Sequence, residues 1–420
     1  MAAVHKGTAF LRRLEIAAAW TGATLAFCAA GLALLGPHLG GPAPGLEGLP
    51  GFLVEMATAT WIHTGALSAV VAVLLLWRRQ RWPAAVLGVV ALTALLPRWW
   101  PHHAPSLIPQ KRTLRVAAVN LCAESRDVGT MEASLRELDA DVLVLPEFTT
   151  FWAGHLERWF TNDYAHRWLG KPSERDGYAL EGARIAVWSR IPGTDFGVRE
   201  GYGCQVRVTL DFCGHAFALY GVHTWPPFPF RQYDGVRCER QALLDWIRAE
   251  SLPVIAAGDF NASPESPFLL RLRQCGLAIA AEEALGSAPV TWPMTSAARA
   301  PWGIAIDHVL HGAAFAAVGF RRGIANGSDH APVVAELAWR DWRAASSQTD
   351  SRSADSCSPH QRPSERANAT SSRPWRAGWS LRSFSKPRWR TVTSVPLPAA
   401  ANVTSTSVSS SGANVALRQP

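Results

Sequence analysis

Eight polar side chains stand at the ends of six short apolar runs between residues 110 and 335. They are Asn120 in RVAAVN, Glu147 in VLVLPE, His223 in YGVHT, Asp259 and Asn261 in IAAGDFN, Asp307 in GIAID, and Asp329 and His330 in GSDHAPVVAEL. Five runs close on their polar residue and the sixth opens with it. Such runs read as buried strands. Carboxylates, amides and imidazoles gathered where strands meet loops make a site for a hard metal ion and a phosphate. Oxygen ligands suit the metal, while His and Asn hold and protonate phosphoryl oxygens.

The individual signals differ in strength. Gly258 lets the strand before Asp259 turn tightly. Asp259 can then orient and deprotonate a water, and Asn261 can bond a phosphate oxygen. Alone, the same residues fit an Asx-turn closing a strand equally well. Ser328-Asp329-His330 precedes a strand, so in an antiparallel neighbour it shares a sheet edge with Asp259. A buried His needs an orienting partner, and Asp307 supplies one. His308 and His311 read as packed core imidazoles. Glu147 suits magnesium, which binds through one or two carboxylates and several waters. Asn120 and His223 say little singly.

The elements that must position these residues follow from apolar patterning. Strands are expected at 114–121, 141–146, 183–189, 204–212, 216–222, 253–258, 303–310, 314–320 and 331–338. Helices are expected at 128–139, 233–249 and 266–274. The alternation is irregular, so the class is α/β or α+β with mixed sheets, not a doubly wound parallel sheet.

The rest of the chain has another character. Of 420 residues only 18% are charged and 48% are hydrophobic, which points to membrane spans. Apolar runs cover 14–37, 57–77 and 82–97, so residues 1–98 form a membrane region of two to three helices. The third run is short, roughly 24 Å as a helix against a hydrocarbon core of about 30 Å. Lys and Arg flank the runs as basic, none, basic, which puts the N-terminus in the cytoplasm. Three spans, the preferred reading, put everything after Arg98 outside; two keep it inside. Residues 99–111 read as an interfacial linker, with Trp99 and Trp100 at the headgroups. Residues 341–420 lack apolar periodicity and read as a disordered Ser/Arg/Pro-rich tail. That tail holds eleven Arg or Lys against four Asp or Glu, nearly all of the net +8. The remaining 340 residues are almost neutral, so charge implies no polyanion groove. The seven cysteines form no CxxC pair, which speaks against a thiolate zinc site. Cys204–Cys213 and Cys238–Cys275 stay open as disulfides.

The order Asn, Glu, His, Asp-x-Asn, Asp, Asp-His over 112–340 resembles the endonuclease/exonuclease/phosphatase (DNase I-like) superfamily. The resemblance implies an α+β fold, a four-layer α/β/β/α sandwich with two mixed sheets. It implies that Glu147, Asn120 and Asp329 bind Mg or Mn. Asp259 would activate the water, Asn261 and His223 would hold the phosphate, and His330, paired with Asp307, would stabilise the phosphorane. An acidic partner for His223 is expected at Glu174, Asp176 or Glu181. The N-terminal runs look like those of a bacterial branch anchored in the cytoplasmic membrane by several passes, with an extracytoplasmic catalytic domain. The implied activity is metal-dependent hydrolysis of a phosphoester or lipid pyrophosphate by in-line water attack. The implied partners are the membrane and a phosphoester substrate, lipid or nucleic acid. A nuclease on the same scaffold is the alternative, and a non-catalytic binding module the minor one. The stiff aromatic loop TWPPFPF after His223 is placed to touch acyl chains or to pack on the sheet.

Overall fold

The apolar N-terminal runs fold as four helices: α1 Ala2–Leu35, α2 Gly48–Ala59, α3 Trp61–Trp77 and α4 Arg81–Trp99. The structure is a computed structural model. It describes residues 2–39, 46–99, 112–160, 162–171, 183–199, 204–294, 303–324 and 327–340. The linker beyond Trp99, the tail, and Glu174, Asp176 and Glu181 lie outside these residues.

Among the described residues one stretch, Arg12–His38, is by itself long and apolar enough to cross a membrane. The second expected span is broken, because α2 and α3 meet at Thr60 with a 65° bend. α3 alone has 17 residues, a rise of about 26 Å. The apolar part of α4, Arg81–Leu96, is likewise short. The multi-pass arrangement expected from the sequence is therefore not supported; among the described residues one helix has the length and composition to span. The helices still pack closely through small residues. A Cβ on Gly65 would meet the Ala94 Cβ at 2.4 Å, an approach that only small side chains permit. Leu25, Phe27, Leu67, Val73, Trp77 and Trp82 stay exposed on the outer faces.

α2 is set on the following domain. Its Phe52 ring meets Phe230 edge-on at 5.3 Å, and the Tyr233 hydroxyl donates to the Leu46 carbonyl at 3.2 Å. Arg240 Nη1 donates to Glu55 Oε1 at 3.0 Å, with both side chains buried.

The domain begins with β1 Leu114–Ala118, α5 Val128–Leu138, β2 Val142–Phe148, α6 Thr150–Phe160, β3 His166–Leu169 and β4 Arg184–Ser189. Next come β5 Gly193–Arg199, β6 Cys204–Phe212, β7 His215–His223, α7 Tyr233–Arg248 and β8 Val254–Asp259. It ends with α8 Pro267–Gln274, β9 Ala278–Ile279, α9 Ala280–Leu285, β10 Asp307–His311, β11 Phe315–Arg322 and β12 Val333–Trp339.

These strands form two six-stranded sheets, ordered β11-β12-β1-β2-β4-β3 and β5-β6-β7-β8-β10-β9. Each sheet is mixed, with one parallel pair, β1 with β2 and β7 with β8. Val116, Val144 and Val187 of the first sheet pack against Val208, Leu219 and Ile255 of the second. Because side chains alternate along a strand, Ala117, Leu143 and Leu145 face outward onto Met131 of α5 and Trp152 of α6. Tyr220 and Ala256 face Leu243 of α7 and Phe268 of α8. The result is the expected α+β four-layer sandwich. The elements not expected from the sequence, α6, β3, β5, β9 and α9, carry weak signals. α6 buries only Trp152, Leu156 and Phe160, and β5 is largely exposed.

Cys238 and Cys275 are free. Cys204 opens the extended strand β6 and Cys213 follows its end, about 30 Å apart at 3.3 Å per residue. Cys213 is held in a disulfide, but Cys204 is too distant to be its partner, and Cys238–Cys275 does not form.

Candidate active site

The two parallel pairs bring four strand ends to one edge of the sandwich. Asn120 follows β1, Glu147 lies near the end of β2, and His223 and Asp259 close β7 and β8 in register with one another. The antiparallel strands start at that edge. Asp307 opens β10 opposite Asp259. His330 sits three residues before Val333, which pairs with Ala118 of β1. The antiparallel neighbour of the His330 strand is therefore β1, not the Asp259 strand as the sequence suggested. His330 and Asp259 approach one another from opposite sheets.

The backbone is bent to aim these groups. Glu147 has φ +56 at an irregularity between Leu145 and Phe148 in the β2–β4 pairing. A non-glycine residue there is strained, and such strain collects at functional sites. Asn261 has φ +45. Gly258 has φ +140, and a Cβ on it would meet the Val222 carbonyl oxygen at 1.9 Å. Only glycine lets β8 come so close to β7.

Buried Asn120 is the hub of the site. Its Nδ2 donates to Glu147 Oε1 at 3.0 Å and to Asp259 Oδ2 at 3.1 Å, and lies 3.5 Å from His330 Nε2. Its Oδ1 accepts from the Cys122 N–H at 2.9 Å. The other Glu147 oxygen accepts from the Ala123 N–H at 2.7 Å. Asp259 Oδ1 accepts from the Asn261 N–H at 2.8 Å. Asn261 Nδ2 donates to the Thr224 carbonyl at 2.8 Å. His223 Nε2 stands 3.9 Å from both Glu147 Oε1 and Asp259 Oδ2. His330 Nδ1 is 2.9 Å from Asp307 Oδ2. Thr291 Oγ1 fixes the Asp307 backbone by accepting its N–H at 3.1 Å.

The eight expected residues thus meet in one place. Glu147, His223, Asp259, Asn261, Asp329 and His330 line a cavity of about 700 Å³. Asn120 and Asp307 stand behind them. His308 and His311 take no part: His308 Nε2 lies 3.0 Å from the Ala262 carbonyl and His311 Nε2 2.8 Å from Glu283. Three contributors were not foreseen. Thr224 and Thr291 hold Asn261 and Asp307, and Trp292 Nε1 donates to Asp329 Oδ2 at 3.1 Å. Thr224 is flagged only by adjoining His223, and nothing in the sequence singles out Trp292. The aromatic loop divides. Trp225 is buried, while Phe228 is exposed on the cavity.

The electrostatics are those of crowded negative charge. Burial raises the Asp259 carboxyl above its usual range, and the charge of Asp307 raises it further. Burial alone would lower His330, but the charge and hydrogen bond of Asp307, with Asp259 and Asp329, carry it up to about 10. Burial lowers His223. The Cys122 thiol is pushed up to about 11 by burial, Asp329 and Glu147. No Lys or Arg is among the described residues lining the cavity. Hard oxygen donors without a cationic side chain fit a divalent cation. Asp259, Asp307 and His330 have donor atoms within 4.8 Å of one another, close enough to share an ion. Asp307 and His330, however, are engaged with each other.

The endonuclease/exonuclease/phosphatase family model matches residues 117–330, just over half of the chain. The chain belongs to this family. Its members are hydrolases acting on phosphoester bonds. Similar solved structures include the endonuclease/exonuclease/phosphatase of Beutenbergia cavernae DSM 12333, at 21% identity over 55% of this chain and 72% of that one, TM-score 0.44. The Bacteroides vulgatus endonuclease/exonuclease/phosphatase is 14% identical over 55% of this chain and 100% of its own, TM-score 0.44. The human Nocturnin catalytic domain with bound sulfate anion is 15% identical over 54% and 94%, TM-score 0.42. No curated protein matches the chain.

Proposed function

We propose that this family member is a divalent-metal-dependent phosphoesterase, tethered to a membrane by α1 and acting on a membrane-proximal phosphoester. The observation that carries the reading is the convergence of six polar residues on a cavity whose described lining residues include no Lys or Arg. A nuclease must neutralise phosphates flanking the scissile one, so that lining favours a small or lipid phosphoester over a polynucleotide.

Glu147, Asp329 and Asn120 would hold the cation, Mg or Mn, through hard oxygens. When bound, it supplies Lewis-acid polarisation of a phosphoryl oxygen. Asn261 and His223 orient the phosphate. Asp259 takes a proton from a water whose oxygen adds to phosphorus in line with the leaving oxygen. The P–O bond to that oxygen then breaks, and it takes a proton from solvent. His330, kept protonated by Asp307, stabilises the charge that grows on the equatorial oxygens.

The clamp of α2 on α7 bears on sidedness. The domain must lie on whichever side α1 emerges, whatever α3 and α4 do. A basic N-terminus with no Lys or Arg between 38 and 56 favours the outer side of a bacterial cytoplasmic membrane.

The test is hydrolysis of bis-p-nitrophenyl phosphate, a lipid phosphate and plasmid DNA by the full chain. EDTA should abolish the phosphoesterase activity and Mg²⁺ or Mn²⁺ restore it, with DNA left intact. Full activity after dialysis into EDTA would refute the metal role, and preferential DNA cleavage would favour the nuclease.

A further inference from the structure

The membrane-proximal helices do more than precede the catalytic cavity: they wall it. Glu55, Met56, Ala59, Thr60 and His63, from the bend between α2 and α3, line the same cavity as Asp259 and His330. Phe228 and Ile304 line it as well. Charged and amide groups are concentrated at the strand-end floor, while most of the remaining lining is apolar.

The relation is built rather than incidental. Buried Arg240 donates through Nη1 to Glu55 on α2 at 3.0 Å, and through Nη2 to the Asn261 carbonyl at 2.8 Å. One guanidinium therefore ties the bend to the loop expected to face the phosphate. Buried pairs of this kind need accurate geometry to survive desolvation. Gly51 permits the contact, since a Cβ there would meet Tyr233 Cε1 at 2.8 Å.

We propose that Met56 and Ala59 of the α2–α3 bend belong to the apolar half of the substrate site, which receives the hydrocarbon chain of a membrane lipid whose phosphoester reaches the strand-end floor. This rests on the phosphoesterase reading and adds the substrate class. Two observations select the occupant. Most of the described lining beyond the polar floor is apolar, with Met56 and Ala59 on the bend and Phe228, Trp292 and Ile304 elsewhere. The bend leads directly into α3, whose Leu67, Val73 and Trp77 are exposed as a lipid-facing side would be. A volume near 700 Å³ lies within the range of pockets that enclose most of a drug-sized ligand, so a stretch of chain fits beside the headgroup.

The experiment compares two phosphodiesters with the same scissile bond, methyl and dodecyl p-nitrophenyl phosphate. The full chain is held in phosphatidylcholine nanodiscs with Mg²⁺. Wild type should favour the dodecyl ester in kcat/KM. Ala59→Trp, and independently Met56→Trp, should reduce the dodecyl-to-methyl ratio at least about tenfold, mainly through KM. A tenfold loss corresponds to about two buried methylenes at roughly fourfold each. Activity on the methyl ester reports that each variant is folded. An unchanged ratio in both variants, or equal loss on both esters, would overturn the proposal. If wild type hydrolyses neither ester, the phosphoesterase reading fails, and calorimetry with dodecylphosphonate decides the wall alone. Saturable binding weakened by Ala59→Trp supports it; absent or unaltered binding refutes it.

Discussion

His330 Nδ1 and Asp307 Oδ2 are 2.9 Å apart, and both side chains are buried at the end of the sandwich. The carboxylate fixes the ring and holds its second proton, so Nε2 carries an N–H toward the cavity. If that N–H stabilises transition-state charge, His330→Ala should lower kcat by about 10²-fold or more. Asp307→Asn should act partly through the same unit, making the double variant far less than additive. Steady-state kinetics on bis-p-nitrophenyl phosphate measure this, and near-normal kcat in His330→Ala would end the assignment.

Arg240 and Glu55 predict a stability effect. Removing one partner strands a buried charge, so Glu55→Ala or Arg240→Met should each cost about 3–5 kcal/mol. The joint change to Glu55→Met with Arg240→Met should cost less than either alone. Chemical unfolding of the full chain in detergent measures all three. Single losses below about 1 kcal/mol would mean the pair is not formed as described.

His308 predicts acid sensitivity. Burial lowers its pKa from 6.5 to about 4, so the unfolded chain binds the proton first. The sign follows: stability is full at neutral pH and falls as pH drops from about 6.5 towards 4. The contribution is roughly 3 kcal/mol at most. His308→Gln should lose less stability than wild type between about pH 7 and pH 4.5. Equal losses in the two proteins would refute the contribution.

On the proposed reading, sidedness is set by α1 and the charges that flank it. Alkaline phosphatase fused after Gln110 should be active, and a green fluorescent protein at the same point dark. The reverse pattern would put the site in the cytoplasm.

Much of this arrangement was legible because strand ends are local signals. Asp259 and Asn261 are marked by the apolar run ending in Gly258, and Glu147 by VLVLP. The partnership of His330 was harder, since alternating apolar runs do not say which strand neighbours which. The antiparallel partner proved to be β1, and Asp259 comes across from the facing sheet. Trp292 was invisible, because a tryptophan in a loop has no periodicity to announce a bond to Asp329. The break at Thr60 was missed for a related reason: hydropathy sums the residues on both sides of a bend and cannot register its 65° angle.

The clamp between α2 and α7 also sets an order of assembly. Glu55 precedes Arg240 by 185 residues. At about 5–20 residues per second, roughly 10–40 s of synthesis separate them. Through that interval Glu55 sits in an apolar helix without its guanidinium. The helices are thus made first and wait for α7, and the strand ends that complete the cavity, Asp259 and His330 among them, follow later still.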